Sequence, residues 1–244
     1  MAGKKIGFYT GICCLLFLNA CQKEYIAGNS DYKTLGSSAH ELLTASPYTA
    51  LQIEIGYMPG FAADDASINN LVNFLNTYTN KPGGIKVYQH QIAASNKTIL
   101  SLAEIVNIEK NNRVIFTSPG SIAIHILITN GYYTTASTFA ISYWNTSTCI
   151  FGQAISDNSD SPGLVTRTRL VSTALQHEIG HLLGLVNQGS PMQQNHKDSD
   201  NGAHCNNPVC LMFYGIETDA GSINGPVPTL DANCMDDLKA NGGK

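Results

Sequence analysis

His177 and His181 stand four positions apart, with Glu178 directly after the first, in the run His177-Glu178-Ile179-Gly180-His181. On a helix that spacing projects both imidazoles from one face, about a turn apart, close enough to bind one metal ion. Glu178 then sits beside the first ligand, where its carboxylate takes a proton from a water on the metal without ligating the metal itself. Zinc suits this arrangement because it lowers the pKa of such a water to about 7, so a carboxylate completes the deprotonation at neutral pH. The chemistry expected is hydrolysis.

Such a motif needs a helix to carry it, and the sequence supplies one. From about Leu170 to Val186 an apolar stripe of Leu170, Ala174, Leu175, Ile179, Leu182 and Leu183 recurs at helical spacing. Upstream, residues 51–57 and 85–92 alternate apolar with polar and predict strands with one buried face. Between them Asp64 and Asp65 open an amphipathic helix on Ile68, Leu71, Val72, Leu75 and Tyr78. A second helix is expected on Leu100, Ala103, Ile105, Val106 and Ile108, ending near Asn112. Strands are expected at 122–129 and 139–143, with 149–155 as a short edge segment. This order predicts an α/β (α+β) fold, a mixed twisted sheet with two helices besides the histidine helix. From 187 to 233 Asn, Gly, Asp, Pro and Ser dominate and periodicity is lost, so a loop-rich C-terminal part is expected, functional or covalently held.

The 244 residues are 43% hydrophobic, enough for one domain with a sizeable core. The formal net charge is −4 and no basic stripe occurs, which leaves nucleic-acid binding without an electrostatic footprint. Lys4 and Lys5 precede an apolar run from Ile6 to Leu18 that ends in Leu18-Asn19-Ala20-Cys21. That pattern predicts a secretory signal over 1–20, shorter than the roughly 20 apolar residues of a spanning helix. Ala20-Cys21 resembles the lipobox of a bacterial lipoprotein, which implies lipid on Cys21, and Cys21-Gln22-Lys23-Glu24 resembles the export tags of Bacteroidetes surface lipoproteins. The chain is then expected to be anchored to the outer membrane, on its periplasmic or cell-surface side. Residues 21–45 are expected to form a flexible tether, followed by one domain over 46–244 with an upper part at 46–186 and a lower part at 187–244.

The run His177 to Gly184 resembles the first two-thirds of the metzincin signature of zinc peptidases, in which the glycine ends the helix. In that family the third histidine ligand follows three residues after the glycine, a position held here by Asn187, a poor zinc ligand. His204-Cys205-Asn206-Asn207-Pro208-Val209-Cys210-Leu211-Met212 resembles the archaemetzincin continuation of the motif. The resemblance implies His204 as third ligand, displaced by an insertion of about 17 residues, with His196 as the rival. It makes Met212 an apolar floor beneath the ligands. Met212-Phe213-Tyr214-Gly215 further resembles the turn of astacins and serralysins, which implies a catalytic role for Tyr214 at the developing oxyanion.

Four cysteines remain after the signal and Cys21: Cys149, Cys205, Cys210 and Cys234. Archaemetzincins complete a second, four-cysteine zinc site with a Cys-x-x-Cys pair, but here the pair reads Cys234-Met235-Asp236-Asp237. An exported protein meets an oxidising compartment, so disulfides are expected in preference to a second zinc at Cys205, Cys210 and Cys234, with Cys149 taking any thiol left over and the connectivity open.

The function expected is that of a monomeric zinc endopeptidase acting on a protein or peptide substrate, with one catalytic zinc on His177, His181 and His204. The alternative is a zinc-stabilised surface binding or adhesion lipoprotein with little turnover. The displaced third ligand favours the alternative, and the intact Glu178 opposes it.

Overall fold

A computed structural model describes residues 30–215 and 225–244. The expected signal peptide and Cys21 lie outside the described residues. The core is a five-stranded sheet in the order β2-β1-β4-β7-β6, formed by β1 (Ala50–Tyr57), β2 (Ile85–Gln91), β4 (Ser121–Thr129), β6 (Ala140–Trp144) and β7 (Ser147–Phe151). β1 runs parallel to both β2 and β4, and β4 runs parallel to β7. β6 is antiparallel to β7 and forms the edge, which makes the sheet mixed. Two short strands, β3 (Ile99–Leu100) and β5 (Tyr132–Tyr133), pair separately.

Helices cover both faces. α2 (Asp65–Tyr78) starts where the Asp64 side chain accepts from Ser67 N at 2.7 Å, and it packs with α5 (Arg167–Leu182) on one face. Alternate residues of the central strands, Leu51, Ile53 and Ile55 with Ile122, Ile124, Ile126 and Ile128, join them in the main core. α3 (Leu102–Asn112) covers the opposite face through Ile105, and it begins with a capping box between Ser101 and Glu104. All nine residues of β4 are buried, as expected for a parallel strand covered on both sides.

The α3 face also holds a buried polar network. Glu54 accepts from Val114 N, Ile115 N and His90 Nε2, while Arg113 pairs with Glu109 at 2.9 Å. Tyr143 and Ser147 donate to the same Glu109 carboxylate. Removing Arg113 would strand the Glu109 charge in the interior.

Several expectations need correction. The stretch expected to be a tether is folded from residue 30 onward: α1 (Ala39–Leu43) buries Ala39, Leu42 and Leu43 in the core region. Its apolar residues do follow the i, i+3, i+4 rule, but over too few turns to stand out among polar neighbours. Leu100 belongs to β3 rather than to α3. Residues 149–155 do not form an edge segment; β7 is interior to the sheet and wholly buried, and the chain turns into α4 (Gly152–Asp157). α5 ends at Leu182, four residues before the expected Val186. The loop-rich lower part closes with α6 (Ala232–Ala240), capped by Asp231.

Candidate functional site

α5 is buried along its length from Leu170 to Leu182, wedged between the sheet and the lower loops. This placement turns the face with His177, Glu178 and His181 toward a cavity of about 840 Å³. The Nε2 atoms of His177 and His181 lie 3.2 Å apart. His204 arrives from the loop, its ring centroid 5.3 Å from that of His177 and 5.1 Å from that of His181. One ligand atom from each of the three lies within 4.8 Å of the others. The structure therefore brings His177, His181 and His204 together. His196, the rival for third position, points instead to Cys205 and Cys234.

The rings are oriented from behind by backbone oxygens that only accept. His177 Nδ1 donates to Leu211 O at 2.8 Å, and His204 Nδ1 donates to Asn201 O at 2.6 Å. Each Nε2 is thereby left with a lone pair facing the cluster. His181 Nδ1 and Gln188 Oε1 are buried without a hydrogen-bond partner. Burial holds the His177 ring down to about 4 and His181 well below the usual histidine range, so both are neutral at pH 7. Two nitrogens about 2.0–2.1 Å from one tetrahedral zinc would sit about 3.3 Å apart. The donor set, the neutrality of His177 and His181 and the spacing of their nitrogens fit a zinc ion.

Glu178 is held differently. Burial pushes its carboxyl up to about 8, opposed by the Ser142 hydroxyl, which donates to Oε2 at 2.7 Å. A dication beside it would pull the group back toward the ionised form. Ser142 lies on β6, the edge strand, so the sheet itself positions this carboxylate. Its role was not legible in the sequence, because nothing local marks a strand serine that meets a helix 36 residues later. The Leu211 and Asn201 carbonyls are equally silent there, since any residue type supplies a carbonyl.

The two glycines of the motif have separate steric reasons. A Cβ on Gly180 would meet Met212 Sδ at 2.3 Å, so the missing side chain lets Met212 press against the helix directly under the histidines. Gly184 has φ +80°, and a Cβ there would come 2.5 Å from Ser190 N. Beyond it Val186 and Asn187 also have positive φ, and Asn187 is exposed. Tyr214 lines the cavity and is 53% exposed, at its mouth rather than among the imidazoles. Phe139, Ala140, Ile141 and Ser142 form the opposite wall, so an open sheet edge runs along the cavity.

The expected disulfides are not found. Cys149, Cys205, Cys210 and Cys234 are all free and buried. Cys149 lies in the sheet, in the core cluster under α3, while the other three belong to the main cluster in the lower part. Composition and the expected export pointed to oxidation, but they carry no information about what else lies beside the sulfurs.

No family model matches the chain, and no curated protein does so either. Among solved structures the chain is similar to the archaemetzincin of Methanopyrus kandleri, with a TM-score of 0.51 and 13% identity over 79% of this chain and 96% of that one. It also matches metalloproteinase-II of Bacteroides fragilis at a TM-score of 0.42 and 16% identity, over 82% of this chain. It spans 56% of that protein's length. The mixed α/β fold, with its mixed sheet and few helices, is the archaemetzincin fold.

Proposed function

We propose that this protein is a zinc-dependent endopeptidase. The observation that carries the reading is the convergence of three imidazoles and one buried carboxylate on a cavity walled by an open strand edge. His177, His181 and His204 would hold the ion through Nε2. Zinc there would supply Lewis-acid polarisation of a peptide carbonyl and acidify a water. Glu178 takes the proton from that water and later returns it to the leaving amine. Ser142 fixes the carboxylate's direction from β6. An extended peptide would add to the free edge of β6 through main-chain hydrogen bonds, which draws the scissile bond past the histidines. Tyr214, at the cavity mouth, donates to the oxyanion as it develops. The chain acts as a lipoprotein, acylated on Cys21 and facing the periplasm or the cell surface.

The test is hydrolysis of casein and of a quenched-fluorescent peptide library by wild type and Glu178→Gln, with bound zinc measured in both. Loss of about 10²–10⁴-fold in kcat/KM with zinc retained is expected. Equal rates would exclude Glu178 as the base and turn the reading toward a binding lipoprotein.

A further inference from the structure

Behind the histidine cluster lies a second, closed group. His196, Cys205, Cys210 and Cys234 are each no more than 3% exposed. His196 Nδ1 is 3.4 Å from Cys205 Sγ and 3.9 Å from Cys234 Sγ, and Cys210 Sγ is 3.7 Å from Cys234 Sγ. Around one tetrahedral zinc, with sulfur at about 2.3 Å and nitrogen at about 2.0 Å, neighbouring ligand atoms would be about 3.5–3.8 Å apart. The three separations found are close to the edges of such a tetrahedron.

The polar groups around these atoms are arranged for a cation. Asp237 Oδ2 accepts from His196 Nε2 at 2.8 Å, so the Nδ1 lone pair faces the sulfurs. Asp237 is itself held, its other oxygen accepting from Gln193 N at 2.7 Å. The amides of Met212 and Asp231 both point at Cys210 Sγ, at 3.4 Å each, as donors to a thiolate do. The Asp231 carboxylate also lies near, 3.3 Å from Cys205 Sγ, but it already caps α6 through Cys234 N and accepts from Asn207.

We infer that His196, Cys205, Cys210 and Cys234 form a Cys₃His structural zinc site, with the histidine supplied by the inserted loop and oriented by Asp237. In the sequence Asp237 stands where the archaemetzincin scheme has its fourth cysteine. In space it stands one step back, and the loop histidine takes its place. Three sulfurs and one imidazole leave no open position, which is the mark of a structural rather than a catalytic zinc. The loop is bound to the ligands by a short ladder: Asn206 N donates to His196 O at 2.9 Å, Asp198 N to His204 O at 2.8 Å and Cys205 N to Met212 O at 2.8 Å. Because Cys205 follows His204 directly, the second ion would also fix where the third histidine of the first site stands.

The test uses cobalt as a spectroscopic probe and does not depend on turnover, so its outcome is separate from that of the peptidase assay. The full chain, stripped and reloaded with Co²⁺, is expected to bind two ions, one giving a thiolate-to-cobalt charge-transfer band and tetrahedral d–d bands. His204→Ala should remove one equivalent and leave that band intact. His196→Ala should shift and weaken it, and His196→Cys should restore it at the position of an all-cysteine site. Asp237→Asn, which preserves the ligand set and so the fold, should release zinc from this site to a chelator about 10–100-fold more readily. Absence of a charge-transfer band in the wild type, or a band unchanged in His196→Ala, would overturn the inference. A disulfide among the three cysteines in protein isolated without reductant would do the same.

Discussion

The sheet half of the molecule and the loop-rich half beyond Gly184 are ordered by different forces. Residues 50–157 form strands and helices around two apolar clusters, with paired backbones throughout. Residues 183–231 contain no regular element of any length among the described residues, yet they place His204, Met212 and the buried side chains of His196, Cys205 and Cys210. Apolar burial is non-directional and tolerates exchange of similar residues. The second half relies on individual directed contacts, a carbonyl behind His177 and another behind His204 or a carboxylate behind His196, and tolerates little. A functional site assembled at the seam takes rigidity from the first half and specific geometry from the second.

That contrast is open to attack, beginning with the largest effect. Arg113→Met in the sheet half leaves Glu109 buried without its cation and should cost about 3–5 kcal/mol in urea unfolding. A loss below 1 kcal/mol would show that the polar network adds little to the apolar cores. Leu42→Ala should cost about 2–5 kcal/mol, since Leu42 is fully buried. A neutral result would return residues 30–45 to the status of a tether. At the seam, Gly180→Ala drives a methyl into Met212 Sδ and should cost about 1–3 kcal/mol, with lower zinc affinity because the floor under the histidines shifts.

The effect that builds most gradually concerns pH. The Glu178 carboxyl is raised by burial from 4.5 to about 8 in the folded, metal-free protein. A raised acid contributes stability that is fully present below pH 4.5 and is lost as pH rises toward 8. Metal-free wild type should therefore lose ground to Glu178→Gln across this window, at up to about 1.4 kcal/mol per pH unit. Unfolding free energies of both proteins at pH 5, 6, 7 and 8 measure the difference directly. A constant difference would mean that Glu178 is not buried as described.

How much the sequence disclosed follows the same division. β1, β2, β4 and α2 were legible because period 2 and period 3.6 leave different marks, and the histidine motif because i, i+4 spacing on a helix has a direct geometric meaning. β7 was misplaced because a short apolar run gives no sign of how many neighbours it has. The burial of Glu54, Glu109 and Arg113 was invisible, since charged residues in sequence read as surface. In the lower half His204 was legible only through its register with Cys205, Cys210 and Met212. His196 entered only as a rival third ligand of the first site, because its partners Asp237 and Cys234 lie 41 and 38 residues away.

The segment before β1 carries a consequence for how the chain folds. Lys33 N donates to Asn145 Oδ1 across 112 residues, and His40 Nδ1 donates to Asn241 O across 201. Gly36 packs so tightly that a Cβ there would fall 1.3 Å from Gln188 O, on the loop leaving the histidine helix. The last of these partners, Asn241, exists only when nearly the whole chain has been made. Such long-range closures are entropically costly and slow. Residues 30–45 should thus be the last piece to dock, a latch on the finished domain, and the histidine cluster should reach its final rigidity only when that latch is in place.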